Sequence, residues 1–357
     1  MPPNDYEHFM TGNFDVTNAL YLLQHSILQQ KWKLSLEDHV HCAMATNYIL
    51  LLTPNVFPDE LLPFFNKDNL SAIIDKIEST YDIKKYYIPT RIFTSIINIV
   101  QDLNIGTINR RKAISQLLEL DFPANEHKFV QGIIGLIQKI LCVTIAEDVN
   151  KSELGTRYID PFLCGLFDGP DQGMFLRWTN EMTLEAKRNE NFGTKRPDIC
   201  ITSLHGVQWK ANHGFGEVKS FHQGDKSNFL LCADLVRVGI FCRNACALQN
   251  MDGVLGLHIV GRTVLFYVLL SPSAHLYVMY ELAKIKISNC IDDLTKLVVD
   301  MHHILRVLDV FHRICIRSAN PSLPIQYQMT ITTSNHDHVI SSSQNRKRAC
   351  HLKYHHN

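Results

Sequence analysis

The chain has no charge of either sign to spare: 35 Lys and Arg stand against 35 Asp and Glu in 357 residues. A strongly basic nucleic-acid footprint is therefore missing from the sum, and composition by itself does not point to DNA or RNA. A C-x-x-C pair is missing too. The ten cysteines sit mostly in apolar runs, the nearest two being Cys242 and Cys246. This argues against a tetrahedral zinc site and for small core side chains in a reducing, intracellular compartment, nucleus or cytoplasm. The polar, acidic opening MPPNDYEHFMTGNFD lacks the make-up of a signal peptide. The longest apolar stretch, VLGLHIVGRTVLFYVLLS, is broken by His258 and Arg262 and reads as two strands rather than a membrane span. No fixed-period repeat stands out.

What is there is an ordinary globular balance, 46% hydrophobic and 20% charged. The length suits two domains better than one, because single cores stop growing near roughly 250–300 residues. Residues 1–145 read as an all-α domain: ALYLLQHSILQQKW, DHVHCAMATNYILLL, TRIFTSIINIVQDL and KFVQGIIGLIQKILCV carry apolar residues at three- and four-residue spacings. Pro54, Pro58 and Pro89 fall between such runs, where helix breakers belong. With 13 basic against 17 acidic residues before Glu153, this domain is predicted to be a targeting or protein-interaction module.

Residues 150–320 change texture. A helix (ELGTRYIDPFLCGLF) precedes a polar stretch, the strand-like DICITS and GFGEVKS, and an amphipathic helix over 226–248. GVLGLHIV and TVLFYVLLS flank Gly261-Arg262 as a tight hairpin, HLYVMYELAKIKIS adds a strand, and IDDLTKLVVDMHHILRVLDVFHRICIRS closes the domain as a long helix. The class is mixed α/β. Residues 321–357, rich in Ser, Thr, Asn and His, read as a disordered tail, in which Arg346, Lys347 and Arg348 resemble a nuclear-import address or an ordinary solvated basic run.

The chemistry concentrates in Pro197-Asp198, followed nineteen positions on by Glu217-Val218-Lys219. On a strand, Glu217 and Lys219 share one face, and Asp198 opens the neighbouring strand. Two carboxylates packed together raise one another's pKa unless a cation sits there, and a hard divalent ion is the natural occupant. Such an ion, with a positioned ammonium, is equipment for phosphodiester hydrolysis.

At these residues the chain resembles the PD-(D/E)XK nuclease superfamily. The resemblance implies a restriction-endonuclease-like αβββαβ core over about 150–290. It implies that Asp198, Glu217 and the carbonyl of Val218 bind Mg²⁺ or Mn²⁺, that Lys219 acts on the attacking water, and that Glu153, on the preceding helix, completes the acidic cluster. Nucleic acid is the implied partner, DNA ahead of RNA, with no membrane. The spacing through HGVQWKANHG demands a loop or extra turn, and Pro161 should kink or end the helix that begins at Glu153. Plain structural explanations stand beside each residue: an i,i+4 pair of Glu153 with Arg157, a strand-entry role for Asp198, and a solvated strand edge for Glu217 and Lys219. A catalytically silent nuclease-fold protein is the alternative function.

Lys226 and Arg237 are the candidates for phosphate contact, although Asp234 and Arg237 would make an equally good surface pair. His302 with His303, and His336, Asp337 and His338, resemble metal ligands by composition alone; adjacent histidines should point to different helix faces. His205, His213 and His222 flank the motif strands, and one of them could line a cleft.

Overall fold

The computed structural model describes residues 8–29, 34–83, 85–144, 149–220, 228–249, 251–273, 275–316 and 340–341. Its frame is one seven-stranded mixed sheet. The strands are β1 (Ile49–Leu52), β2 (Met174–Trp178), β3 (Ile199–His205), β4 (Gln208–Lys219), β5 (Gly253–Val260), β6 (Thr263–Ser273) and β7 (Leu276–Lys286). Their spatial order is β1-β7-β6-β5-β4-β3-β2. The run β2-β3-β4 is an antiparallel meander, β5 joins β4 in parallel, and β6 and β7 continue antiparallel. Parallel pairing of β4 and β5 requires a crossover, and the helix Asn228–Gln249 supplies it.

Helices cover both faces. In chain order they are α1 (Val16–Gln29), α2 (Val40–Ala45), α3 (Lys67–Thr80), α4 (Thr90–Asn104), α5 (Arg110–Leu118), α6 (Ala124–Lys139), α7 (Asp160–Phe167), α8 (Leu184–Arg188), α9 (Asn228–Gln249), α10 (Leu294–Val299) and α11 (Met301–Val310). One core gathers Ile199, Ile201, Val218, Leu257 and Phe266 from the sheet with Ile73, Phe129, Phe162 and Leu305 from the helices. The opposite face packs Cys200, Phe215 and Tyr267 against Leu235, Val238 and Phe241 of α9 and Met44 of α2. Every residue of β5 is buried, as expected of a strand covered on both faces.

The expectation that residues 1–145 are all-helical does not hold. The run DHVHCAMATNYILLL splits into α2 and β1, with Tyr48 between them at φ +61°. Four consecutive apolar residues, Ile49–Leu52, are all buried and pair in parallel with β7. Helical spacing and a continuous apolar run look alike over so few residues, and pairing with an available sheet edge decides between them. The N-terminal segment thus contributes a strand to the same sheet as the candidate site.

Two local expectations resolve in ways that matter for that site. The nineteen-residue gap is a hairpin: β3 and β4 extend through HGVQWKANHG and turn at Gly206, which takes φ +58°. Pro161 is met by a change of helix type. A single turn, Lys151–Glu153, runs into a π-helical stretch, Leu154–Ile159, before α7 begins. Proline has no N–H and its ring crowds the carbonyl four residues back, so the turn before it widens. The closing helix is likewise interrupted between Val299 and Met301. Lys226, His222 and His336 to His338 lie outside the described residues, as does the 321–357 tail apart from Ile340–Ser341, which pair with Leu34–Ser35.

Candidate functional site: two carboxylates between β3, β4 and α9

The site is built on β4. Phe215 faces α9, its ring 5.6 Å from that of Phe241. Alternation then sends Glu217 and Lys219 to the same face, while Val218 turns into the opposite core. Asp198 stands at the entry to β3. Its N–H donates to the Gly216 carbonyl at 3.1 Å, and its Oδ2 accepts the Val218 N–H at 2.8 Å. These two bonds hold the Asp198 carboxylate beside that of Glu217.

α9 forms the facing wall. Asp234, Arg237 and Phe241 lie on one helical stripe, so the stripe that packs on Phe215 also aims Asp234 and Arg237 at the carboxylates. Arg237 bridges Glu217 Oε2, at 3.1 Å, and Asp234 Oδ1. Lys219 Nζ lies 3.2 Å from Asp234 Oδ2. Lys151, in the turn before the π-helical stretch, reaches Asp198 Oδ1 at 2.6 Å. Three carboxylates therefore face three cations.

Burial makes this arrangement costly. The side chains of Glu217 and Asp234 are 3% and 2% exposed, and taking charges out of water costs several kcal/mol each unless partners compensate fully. Compensation is incomplete: among the described residues, Glu217 Oε1 has no hydrogen-bond partner. Burial pushes the Glu217 carboxyl up to about 8; Arg237 opposes the rise, and the Asp234 and Asp198 carboxylates add to it. Asp234 is also raised by burial, against the pull of Arg237 and Lys219. Burial raises Asp198 as well, but the Lys151 ammonium and the Val218 N–H outweigh it and hold that carboxyl below its ordinary range. His258, opposite Glu217 on β5, is pushed down to about 3 by burial and by Lys219 and Arg237, and so stays neutral. Two adjacent carboxyls with oppositely displaced pKa values are the arrangement that enzymes use to divide acid and base roles.

The donor set suits a hard divalent cation. Asp198 and Glu217 present oxygen atoms, one of them unpartnered, and Mg²⁺ needs only one or two protein carboxylates because it keeps several waters. Among the described residues, no three His, Cys, Asp or Glu side chains form a ready-made metal cluster.

Asp198, Glu217, Lys219 and Arg237 thus come together. Arg237, expected as a phosphate contact or half of a surface pair, sits between two buried carboxylates instead. Glu153 accepts from Arg157 Nε at 3.0 Å, the i,i+4 helical pair, and the residue of its turn that reaches the carboxylates is Lys151. Sequence reasoning missed Lys151 and undervalued Asp234. The signal for Asp234 was an acid inside LLCADLVRVGIF, seven residues before Phe241; Lys151 offered none. His213 is buried, its Nδ1 2.7 Å from the Cys315 carbonyl oxygen, and burial lowers its pKa, which makes it a neutral brace for the C-terminal segment. His302 and His303 do not point apart as expected: their ring centroids lie 3.8 Å from each other at the start of α11.

Set against known proteins, the chain matches no protein family, no curated protein and no solved structure.

Proposed function

We propose that this chain is a metal-dependent nuclease of the PD-(D/E)XK type, hydrolysing phosphodiester bonds in nucleic acid. The observation that carries the reading is Asp198 beside a buried Glu217 whose Oε1 lacks a hydrogen-bond partner, with Lys219 on the same strand face. The order of helix, three antiparallel strands, crossover helix and parallel strand, with the motif at the entry to β3 and the end of β4, supports a restriction-endonuclease-like core.

In this reading Asp198, Glu217 and the Val218 carbonyl would hold Mg²⁺ or Mn²⁺. The bound ion supplies Lewis acidity toward a phosphoryl oxygen and relieves the repulsion between the two carboxylates. Lys219 is kept in place by Asp234 and offers its ammonium to charge developing on the phosphate. Arg237 holds Glu217 in the orientation that leaves Oε1 available. Lys151 occupies Asp198 Oδ1, and a cation bound there would displace it and free its ammonium for the phosphate.

One observation favours a second reading, a catalytically silent nuclease-fold protein: Lys151, Lys219 and Arg237 already neutralise the three carboxylates. The deciding experiment is cleavage of single- and double-stranded DNA and RNA with Mg²⁺ or Mn²⁺, comparing wild type with Asp198→Ala and Lys219→Ala. Cleavage by wild type that both variants lose supports the enzyme. A wild type that cleaves nothing and binds no Mn²⁺ establishes the silent reading.

A further inference from the structure

The sheet face that carries Glu217 continues outward across β3 to the edge strand β2, and the side chains there have a different character. Arg177 of β2 stands opposite Cys200, which stands opposite Phe215, so Arg177 lies on the α9-facing side of the sheet, in the row next to Asp198 and Glu217. Phe175, two residues earlier, shares that face. Trp209, near the β3–β4 turn, closes over both: its ring centroid is 5.7 Å from that of Phe175 in an edge-on arrangement, and the Arg177 guanidinium lies 4.0 Å from the indole centroid. Trp209 is 37% exposed and Val207, at the tip of the hairpin, 96%. A tryptophan held by a stacked arginine yet open to solvent is a rigid planar surface.

The exposed charge on the segments bordering this edge is mostly basic. Lys187, Arg188, Lys195, Arg196 and Lys210 are exposed on the segments that border this edge, and the Arg188 guanidinium is tied to the Lys210 carbonyl at 3.1 Å. Asp171 and Glu181 are the exposed acids on these segments, and Glu181 is engaged with Lys187 at 2.9 Å. The chain as a whole is neutral, so the clustering is local.

We propose that Phe175, Arg177 and Trp209, with the basic rim of Arg188, Arg196 and Lys210, form a docking track for single-stranded nucleic acid that leads to Asp198 and Glu217. Bases stack on exposed aromatic and guanidinium planes, while flanking Lys and Arg follow the phosphates. An unpaired strand is the occupant this surface fits, because paired bases already stack on one another and offer no free face to an indole. An acidic protein would satisfy the rim but would leave the Arg177–Trp209 plane unused. The inference deepens the nuclease reading and rests on it for the direction of the track, but binding is measurable without cleavage.

The test uses the full chain and a fluorescein-labelled single-stranded oligodeoxythymidylate, read by anisotropy in EDTA at two salt concentrations, beside the same strand paired with its complement. Wild type is expected to bind the single strand at least fivefold more tightly than the duplex, with affinity falling as salt rises. Trp209→Ala and the pair Arg188→Glu with Lys210→Glu should each weaken binding about tenfold or more. Trp209→Phe should retain it, which separates lost stacking from lost folding. Binding with no accompanying hydrolysis under Mg²⁺ or Mn²⁺ sustains the track and removes the nuclease reading. Binding that is absent, or unchanged in Trp209→Ala and in the charge-reversed pair, overturns the track even if cleavage is observed.

Discussion

Two buried glutamates face α9 from the same side of the molecule, and their surroundings differ. Glu185, on α8, is met by neutral donors: both of its oxygens accept from the Asn212 amide, one of them also from Gln249, and Asn212 is fixed in turn by Thr202 at 2.9 Å. Glu217 is met by Arg237, by neighbouring carboxylates and by nothing at Oε1. Burial raises both pKa values. The first is a carboxyl met by neutral donors at both oxygens, and it ties α8 and α9 to the hairpin. The second is held protonated up to about pH 8 beside the Asp198 carboxylate, and a cation would take the place of that proton. Buried polar groups are normally satisfied, so a carboxylate oxygen left without a donor beside a second carboxylate calls for a physical explanation, and a bound cation would be one.

The widest separation between the two regions should appear in catalysis. Asp198→Ala and Lys219→Ala are expected to lower metal-dependent cleavage about 10³-fold or more, while leaving far-UV circular dichroism unchanged. Glu185→Ala should reverse the pattern: it strands the amides of Asn212 and Gln249 and should cost on the order of 3 kcal/mol in urea unfolding. A large stability loss at Asp198 with a small one at Glu185 would erase the distinction.

The pH dependence of stability sharpens the comparison. Glu217 has its carboxyl raised from the ordinary 4.5 to about 8. Between those values the folded state holds a proton that the unfolded chain has released. Stability from this group is complete below the lower value and is lost as pH climbs through the upper one. Without added divalent ion, Glu217→Gln should therefore gain on wild type as pH rises from 5 to 8.5, by on the order of 2–3 kcal/mol, read as the difference in thermal midpoint. A constant difference across that range would mean that Glu217 is ionised throughout. Added Mn²⁺ should narrow the gap in wild type alone, because cation binding favours the carboxylate.

The smallest expected effect concerns Glu153. Its pair with Arg157 is partly exposed, and such i,i+4 pairs are worth about 0.3–0.5 kcal/mol. Glu153→Ala should barely alter stability, and cleavage should stay within about threefold of wild type. A hundredfold loss of cleavage would bring Glu153 into the catalytic group.

Much of the frame was legible in the residues. The Gly261-Arg262 hairpin, the strands DICITS, GFGEVKS and HLYVMYELAKIKIS and the long helix after the motif all lie close to where local patterning put them. Alternation along β4 correctly put Glu217 and Lys219 on one face. β1 was read as helix because ILLL carries no period of its own. β2 is hard to see within its polar stretch because MFLRW is a short edge strand whose pattern is weak. α9 reads as amphipathic, yet buried residues surround it, Asp234, Arg243 and Asn244 among them, because the sheet, α2 and α8 enclose it.

The sequence by itself determined the local chemistry: which residues alternate on a strand, where glycine permits a turn, and that Asp198, Glu217 and Lys219 belong on adjoining strands. Those are short-range consequences of backbone geometry, readable within a few residues. The tertiary structure decided which charges meet. Lys151 reaches Asp198 across 47 residues, and Arg237 reaches Glu217 across 20, through packing that no local pattern encodes. The zero net charge of the chain thus conceals a buried cluster of paired charges and a mostly basic, aromatic sheet edge beside it, because burial forces charges to pair while solvent lets like charges gather.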